Sequence, residues 1–383
     1  MSSFNFVGKL RSVKEGYSTE TYNSSIVNRL SFRMVCGNDT HFLRSNAWDN
    51  TGKVLKVRNR DNQLVDIPWD SRYDEEILKT ISHFSTYSID MDPEGESLPE
   101  GQTRKKLTFL DQNEFIQNLR KLLDSDKYKN RYFRVRGEIE RNYGIAKNAY
   151  YTEFKPRFIT IMPEGYSEGS SNARVECYYT NDDIVEPMEK GDDLVLKFYE
   201  RFYNRADKKY YFAPVTLVAK EGYKFATDAL VKWLKKTPAT DGIGTAEVVG
   251  SKGTNVKQCA LMIEVRDGAR PEGVQTLDQA SEDTQWLVKA GLCTEEEVTN
   301  ELNSNTVYGD RVTENVITGI AQGYLLKGPE ATAYSAEDLT TAPGVEVKKD
   351  TSKEEILDIF ANSPKAAGQN LSESLNEDID DIF

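Results

Sequence analysis

Over much of the chain, apolar and polar side chains alternate near period two. Phe4 to Val13, Ile26 to Cys36 and His41 to Trp48 read as strands punctuated by Gly and Asn. Helical spacing replaces this pattern twice. Tyr73, Ile77, Leu78 and Ile81 predict a helix over 71–84, and Phe115, Ile116, Leu119, Leu122 and Leu123 give one apolar face over 111–123. Asp111, with Glu114 three residues on, has the form of a capping box for the second helix. Between the helices, Asp92 to Gly101 holds two Pro and two Gly and must be a loop.

Strand patterning resumes at Arg131 to Arg141, Phe154 to Met162, Ala173 to Thr180, Asp193 to Tyr203 and Lys209 to Ala219, with a short helix or turn at Asn181 to Met188. Five strands with one short helical element between the third and fourth is the order of an OB-fold, a partly open Greek-key barrel. Asn204 to Lys208 supplies the last hairpin turn, and Phe225 to Lys236 reads as a closing amphipathic helix before Pro238. Beyond it come strand-like Thr245 to Gly250 and Val256 to Arg266, helical Asp278 to Ala290 and Thr294 to Leu302, and a strand-like run from Val312 to Leu326. After about residue 335 sustained apolar periodicity is lost, apart from an amphipathic piece at Ser352 to Phe360, which predicts a disordered tail.

The expected fold class is therefore mainly β with α (α+β): one or two OB-fold-like Greek-key barrels, a small mixed α/β unit and a disordered acidic tail. The pattern divides the chain into a strand-rich unit at 1–125, an OB-like barrel at 126–237, an acidic α+β unit at 238–334 and a tail at 335–383. No internal repeat of fixed period is evident, although the first two strand-rich segments are compatible with a shared fold.

Charge sharpens this division. The chain of 383 residues carries 49 Lys+Arg against 62 Asp+Glu, a net charge of -13. Residues 1–236 hold 38 basic and 35 acidic side chains, whereas 237–383 hold 11 and 27. Within the first part the cations bunch in 1–60, 128–160 and 194–236, each window at plus 5 or plus 6. A polyanion-binding body with an acidic extension follows. Four scattered cysteines without a C-x-x-C suit reduced thiols in a cytoplasmic setting, and no apolar run is long enough to span a membrane.

Enzymatic chemistry lacks its raw materials. Only His41 and His83 exist, neither with a second ligand at metal-binding spacing, so zinc is not expected. Gly242-Ile243-Gly244 is a lone fragment, no phosphate-binding G-x-x-x-x-G-K-[ST] occurs, and no cofactor is implied. Asp90, Asp92 and Glu94, like Asp378, Asp380 and Asp381, suit solvated acids as well as ligands.

Cations interleaved with rings are the better signal. In the segment from Arg131, alternation puts Phe133, Val135, Gly137 and Ile139 on one face and Arg134 and Arg136 on the other. Lys197, Tyr199, Arg201 and Tyr203 alternate with Leu196, Phe198 and Phe202, and Lys209 and Tyr211 are expected to join them. Arg29, Phe32, Arg33, His41, Phe42, Arg44, Trp48, Lys53, Lys56, Arg58 and Arg60 repeat the theme near the N-terminus, with Trp48 and Trp69 as candidate stacking platforms. Guanidinium and ammonium groups follow phosphates while flat rings stack unpaired bases, so this combination suits a single strand. The same tyrosines also serve as ordinary β-formers on half-buried faces.

The chain ends Glu377-Asp378-Ile379-Asp380-Asp381-Ile382-Phe383, acids followed by two apolar residues at the end of a polar tail. This resembles the acidic tip of single-stranded DNA-binding proteins of the phage and bacterial type. The resemblance implies a non-catalytic protein that coats single-stranded DNA in replication, recombination or repair. It also implies that Asp380, Asp381, Ile382 and Phe383 dock replication or recombination partners in the cytoplasm of a bacterial host. Two readings stand beside it: a phage structural or protein-interaction protein whose exposed rings are interface anchors, and an RNA-binding protein.

Overall fold

A computed structural model describes residues 1–343 apart from 23–24, 94, 96–104, 145–146, 186–187, 191–192, 206, 237–255, 273–276, 278–279, 295–297 and 299–306. The chain is mainly β with short helices. In order the strands are β1 (Ser3–Tyr22), β2 (Ser25–Cys36), β3 (Asp39–Trp48), β4 (Leu55–Arg58), β5 (Leu64–Ile67), β6 (Tyr87–Asp90), β7 (Lys106–Phe109) and β8 (Tyr132–Gly144). They continue with β9 (Ala149–Ile161), β10 (Ser170–Tyr179), β11 (Met188–Lys190), β12 (Asp193–Asn204), β13 (Lys209–Ala219), β14 (Lys257–Glu272), β15 (Val307–Ile320) and β16 (Glu330–Ala331). The helices are α1 (Glu75–Thr80), α2 (Gln112–Leu123), α3 (Asn181–Val185), α4 (Thr227–Leu234), α5 (Glu282–Lys289) and α6 (Ala336–Thr340).

Strand pairing closes on itself twice. β1, β2 and β3 form an antiparallel meander, β3 meets β9 in parallel at Leu43↔Phe154, β9 pairs with β8, and β8 returns to β1. The second ring runs β10, β12, β13, then β15 in parallel at Val218↔Val316, then β14 and back to β10. Each ring has the order first, second, third, fifth, fourth, and each places a helix between its third and fourth strands, α2 in one and α4 in the other. β1 and β10 join the rings, antiparallel from Ser3↔Arg174 to Val7↔Ser170.

This pairing departs from the sequence expectation. The five strands between 131 and 219 do not close among themselves: β8 and β9 complete the ring begun by β1, while β10, β12 and β13 open the next. Pairing of β1 with β8 crosses the boundary placed at 125, and pairing of β10 with β14 crosses the one at 237. The sequence pattern orders the strands correctly but pairs near neighbours, whereas closing a ring requires distant ones. β14 and β15 therefore belong to the second ring and not to a separate acidic unit. Residues 335–343 are also folded: Ser335 and Asp338 form a capping box on α6, and Leu339 is 2% exposed. The expected strand over Thr245 to Gly250, the piece over Ser352 to Phe360 and the rest of the tail lie outside the described residues.

Local chemistry explains the helices. Asp111 accepts from Glu114 N at 3.0 Å, as the capping pattern predicts, but the Glu114 carboxylate turns instead to Arg72, which grips it through Nε and Nη2 at 2.9 to 3.0 Å. Phe115, Ile116 and Leu119 of α2 are completely buried in the main core. The helix expected over 71–84 shrinks to α1, capped by Asp74, because Ile81 turns extended and the Ser82 hydroxyl caps a new 3-10 turn at His83–Ser85. Ile81 packs with Leu55, Val57, Ile67 and Leu110 in a second small core under the β4–β5 hairpin.

Two glycines mark close approaches. A Cβ on Gly137 would lie 2.0 Å from Lys155 O and 2.7 Å from the Phe4 ring, at the bulge where β8 shifts register against β9. A Cβ on Gly268 would lie 1.8 Å from Asn38 O, where β14 abuts the β2–β3 turn and Asp267 N donates to Asp39 Oδ1 at 2.8 Å.

Candidate nucleic-acid interface

Alternation in β2 and β3 divides side chains cleanly between inside and outside. Leu30, Phe32, Met34 and Cys36 of β2 and His41, Leu43, Ser45 and Ala47 of β3 are buried. The opposite parity faces out, and the register sets Arg33 across from Phe42, Ser31 from Arg44 and Arg29 from Asn46. Arg29, Arg33, Phe42, Arg44 and Trp48 thus share one outward face. Phe42 is 55% and Trp48 51% exposed, on either side of Arg44 along the strand. Arg33 Cζ lies 5.4 Å from the Phe42 ring centre and has no carboxylate partner among the described residues.

The other two cations are loosely held. Arg44 meets the largely buried Glu153 at 3.3 Å and Arg29 meets Glu20 at 2.8 Å, with both guanidinium groups themselves exposed. Such pairs contribute roughly 0 to 1 kcal/mol, so a phosphate can take the place of either carboxylate. Tyr22 stands edge-on to Trp48 at 6.2 Å, and Tyr151 is 48% exposed beside Arg44 and Glu153. Partial burial, then Glu153, pushes the Tyr151 phenol up, while Arg44 pulls it down.

A separate run of rings links the first ring to the second. Tyr143 and Tyr150, at the tip of the β8–β9 hairpin, lie 4.9 Å apart; Tyr150 reaches Phe202 at 6.0 Å, and Phe202 reaches Tyr211 at 6.1 Å. Beneath them Arg141 Nε donates to Glu200 Oε2 at 2.5 Å.

Here the expected face divides. A four-residue loop between Asn204 and Lys209 sets Tyr203 across from Tyr210 and Arg201 across from Phe212, so Lys209 and Tyr211 lie on the other side with Phe202. Arg201, Tyr203 and Tyr210 form one cluster, with Arg201 Cζ 4.8 Å from the Tyr210 ring and the two tyrosines 5.0 Å apart. Tyr211 instead donates its hydroxyl to Asp207 Oδ2 at 2.5 Å. Tyr199 is only 5% exposed, enclosed by Tyr178, Phe212, Val256 and Leu339. It is a core residue and not a stacking platform, because the segment carrying α6 covers this part of β12 and β13. Tyr334 from that segment accepts a hydrogen bond from Arg201 Nη1 at 2.7 Å.

Arg134 and Arg136 fall elsewhere. They point outward from β8, which pairs with β1 and β9 and with neither β2 nor β3. Arg134 donates to Asn5 Oδ1 at 3.3 Å, and Arg136 Cζ lies 5.9 Å from the Phe158 ring. Trp69 is packed under Arg72 at 4.0 Å, and His41 is buried with Nε2 2.7 Å from Ser171 Oγ. Asp90 and Asp92 are buried rather than solvated, bonded to backbone N–H groups of Asp92 and Lys105. Burial pushes the Cys36 thiol up to about 12. Asp380, Asp381, Ile382 and Phe383 lie outside the described residues. Sequence reasoning missed Tyr210, Tyr22, Tyr143, Tyr150 and Tyr151; the even length of the 205–208 loop was the available signal for Tyr210.

No family model matches the chain, and neither does any curated protein. Among solved structures it is similar to the wild-type single-stranded DNA binding protein from Thermus aquaticus, at TM-score 0.28 and 8% identity over 70% of this chain and 85% of that one. It is also similar to a deletion mutant of the same protein, at TM-score 0.27 and 9% identity over 70% and 87%.

Proposed function

We propose that this chain is a sequence-independent single-stranded DNA-binding protein whose two rings are OB-type Greek-key barrels, one per half at about 1–161 and 170–320. The observation that carries this reading is the outward face of β2 and β3, where Arg29, Arg33 and Arg44 alternate with the half-exposed rings of Phe42 and Trp48. In an OB barrel the second and third strands form the oligonucleotide platform. Cations there release counterions while the rings stack bases without reading them, which gives affinity without sequence preference. In this reading the protein coats exposed strands during replication or recombination in the cytoplasm, and the acidic tip at Asp380 to Phe383 recruits partner proteins.

The test is a fluorescence titration with oligo(dT) across a salt series. Trp48 emission is expected to quench, and neutralising about five phosphates gives a slope of log affinity on log salt near −3.5. A slope near zero, or no quenching, overturns the reading in favour of a protein-interaction role. Competition between matched DNA and RNA oligomers decides which polymer is preferred.

A further inference from the structure

A second cluster of cations and rings lies on the other side of the first ring. A cleft of about 550 Å³ opens at the seam where β1 pairs with both β8 and β10, lined by the start of the chain, His83, Phe84, Arg136, Phe158 and Arg174. It adjoins a larger cleft of about 860 Å³ under the β4–β5 hairpin, and the two share Met1, Phe84, Glu138 and Arg157. His83 stacks on Phe158 at 4.2 Å with the planes 6° apart, and Phe84 beside them is 74% exposed. Arg157 is committed to Glu138 at 2.7 Å and Arg174 lies 3.4 Å from Glu176. Arg136, above Phe158, has no carboxylate partner among the described residues. Burial first, then Arg136, Arg157 and Lys106, hold the His83 pKa below its ordinary value.

We propose that this seam cleft is a second binding site for the same single strand, taking bases on Phe84 and the His83–Phe158 stack and phosphate on Arg136. The inference rests on the proposed function. One open ring, one accessible stacked pair and one uncommitted guanidinium are what successive unpaired nucleotides require. The two clefts are continuous, and Asn50, two residues beyond Trp48, lines the larger one, so a strand longer than the β2–β3 face has open surface to follow.

The test compares oligo(dT) of about 8 and about 40 nucleotides, lengths within and well above the roughly 4 to 16 nucleotides of one OB unit, on the full chain and on its Arg136→Ala/Phe84→Ala variant. Both side chains are exposed, so the variant is expected to melt with the wild type. The long oligomer should bind about tenfold more weakly to the variant while the short one binds unchanged. Equal affinities at both lengths overturn the second site. An equal loss at both lengths also overturns it, since the cleft would then be part of a single short site. If the wild type binds neither oligomer, the proposed function falls and takes this inference with it. Replacing Phe84 by a photo-crosslinking phenylalanine gives an independent readout: capture of the long oligomer supports the site, and capture of neither rejects it.

Discussion

Arg141 of β8 and Glu200 of β12 meet at 2.5 Å with side chains 14% and 4% exposed, so the hairpin of one ring is tied to a strand of the other by a nearly buried ion pair. Removing one partner strands a charge in a site that water barely reaches. Arg141→Ala should cost about 3 to 5 kcal/mol, read as a shift of the urea midpoint. An Arg141→Met/Glu200→Leu pair should recover most of that loss; a single variant as stable as the wild type would show that the pair holds nothing together.

On the β2–β3 face, stacking and charge separate by substitution. Phe42→Ala and Trp48→Ala should each weaken oligo(dT) by about 1 to 3 kcal/mol with little change in salt slope, whereas Arg33→Ala should flatten the slope by about 0.7. Tyr199→Phe should leave affinity untouched, because that ring is walled in by Tyr178, Phe212 and Leu339. Because phenylalanine keeps the ring, Tyr199→Leu is the sharper check: loss of binding by that variant while it remains folded would mean that the segment covering Tyr199 moves away when DNA binds.

The inward and outward sides of β8 were legible because period-two alternation survives wherever one face is buried. Near the N-terminus cations and rings were legible only as a group: Arg29, Arg33, Arg44 and Trp48 share one surface, while Phe32 and His41 turn inward. Pairing was not legible. β1 must bond to β2, β8 and β10 at once, and nothing local in Ser3 to Lys9 announces a strand with three partners. Tyr199 shows a second blind spot. Its alternation places it outside, as read, but a distant residue, Leu339, caps it, and only tertiary structure supplies that neighbour.

His83 offers a reading of pH. Burial, then Arg136, Arg157 and Lys106, disfavours its protonated form, so the folded pKa lies below the unfolded value of about 6.5. Between the two values the unfolded chain holds more protons, and stability therefore rises with pH; it is fully present above about 6.5 and is lost as pH falls. His83→Gln should flatten this part of the stability profile. In NMR titrations, Arg136→Ala should raise the His83 pKa, and so should filling the cleft with a polyanion. An unchanged His83 titration in Arg136→Ala would place the guanidinium too far away to act.

The second ring differs from the first in carrying its own cover. Leu339 fills the space between Tyr178, Tyr199, Phe212 and Val256, and Tyr334 takes a hydrogen bond from Arg201. Truncating a leucine buried to 2% leaves a cavity that would cost about 2 to 5 kcal/mol if the surroundings stayed in place. The segment is short and attached to the ring through β16, so detaching it is the cheaper response, and its free energy sets an upper limit on the loss. Leu339→Ala should therefore sharply increase protease cleavage within 330–340 while the rings melt near the wild-type temperature. A fall in Tm without faster cleavage would instead make the segment an integral part of the second ring. Arg201, Tyr203 and Tyr210 sit at the rim of this cover, so the same variant should also bind oligo(dT) more tightly if those rings reach DNA once Tyr334 lets go.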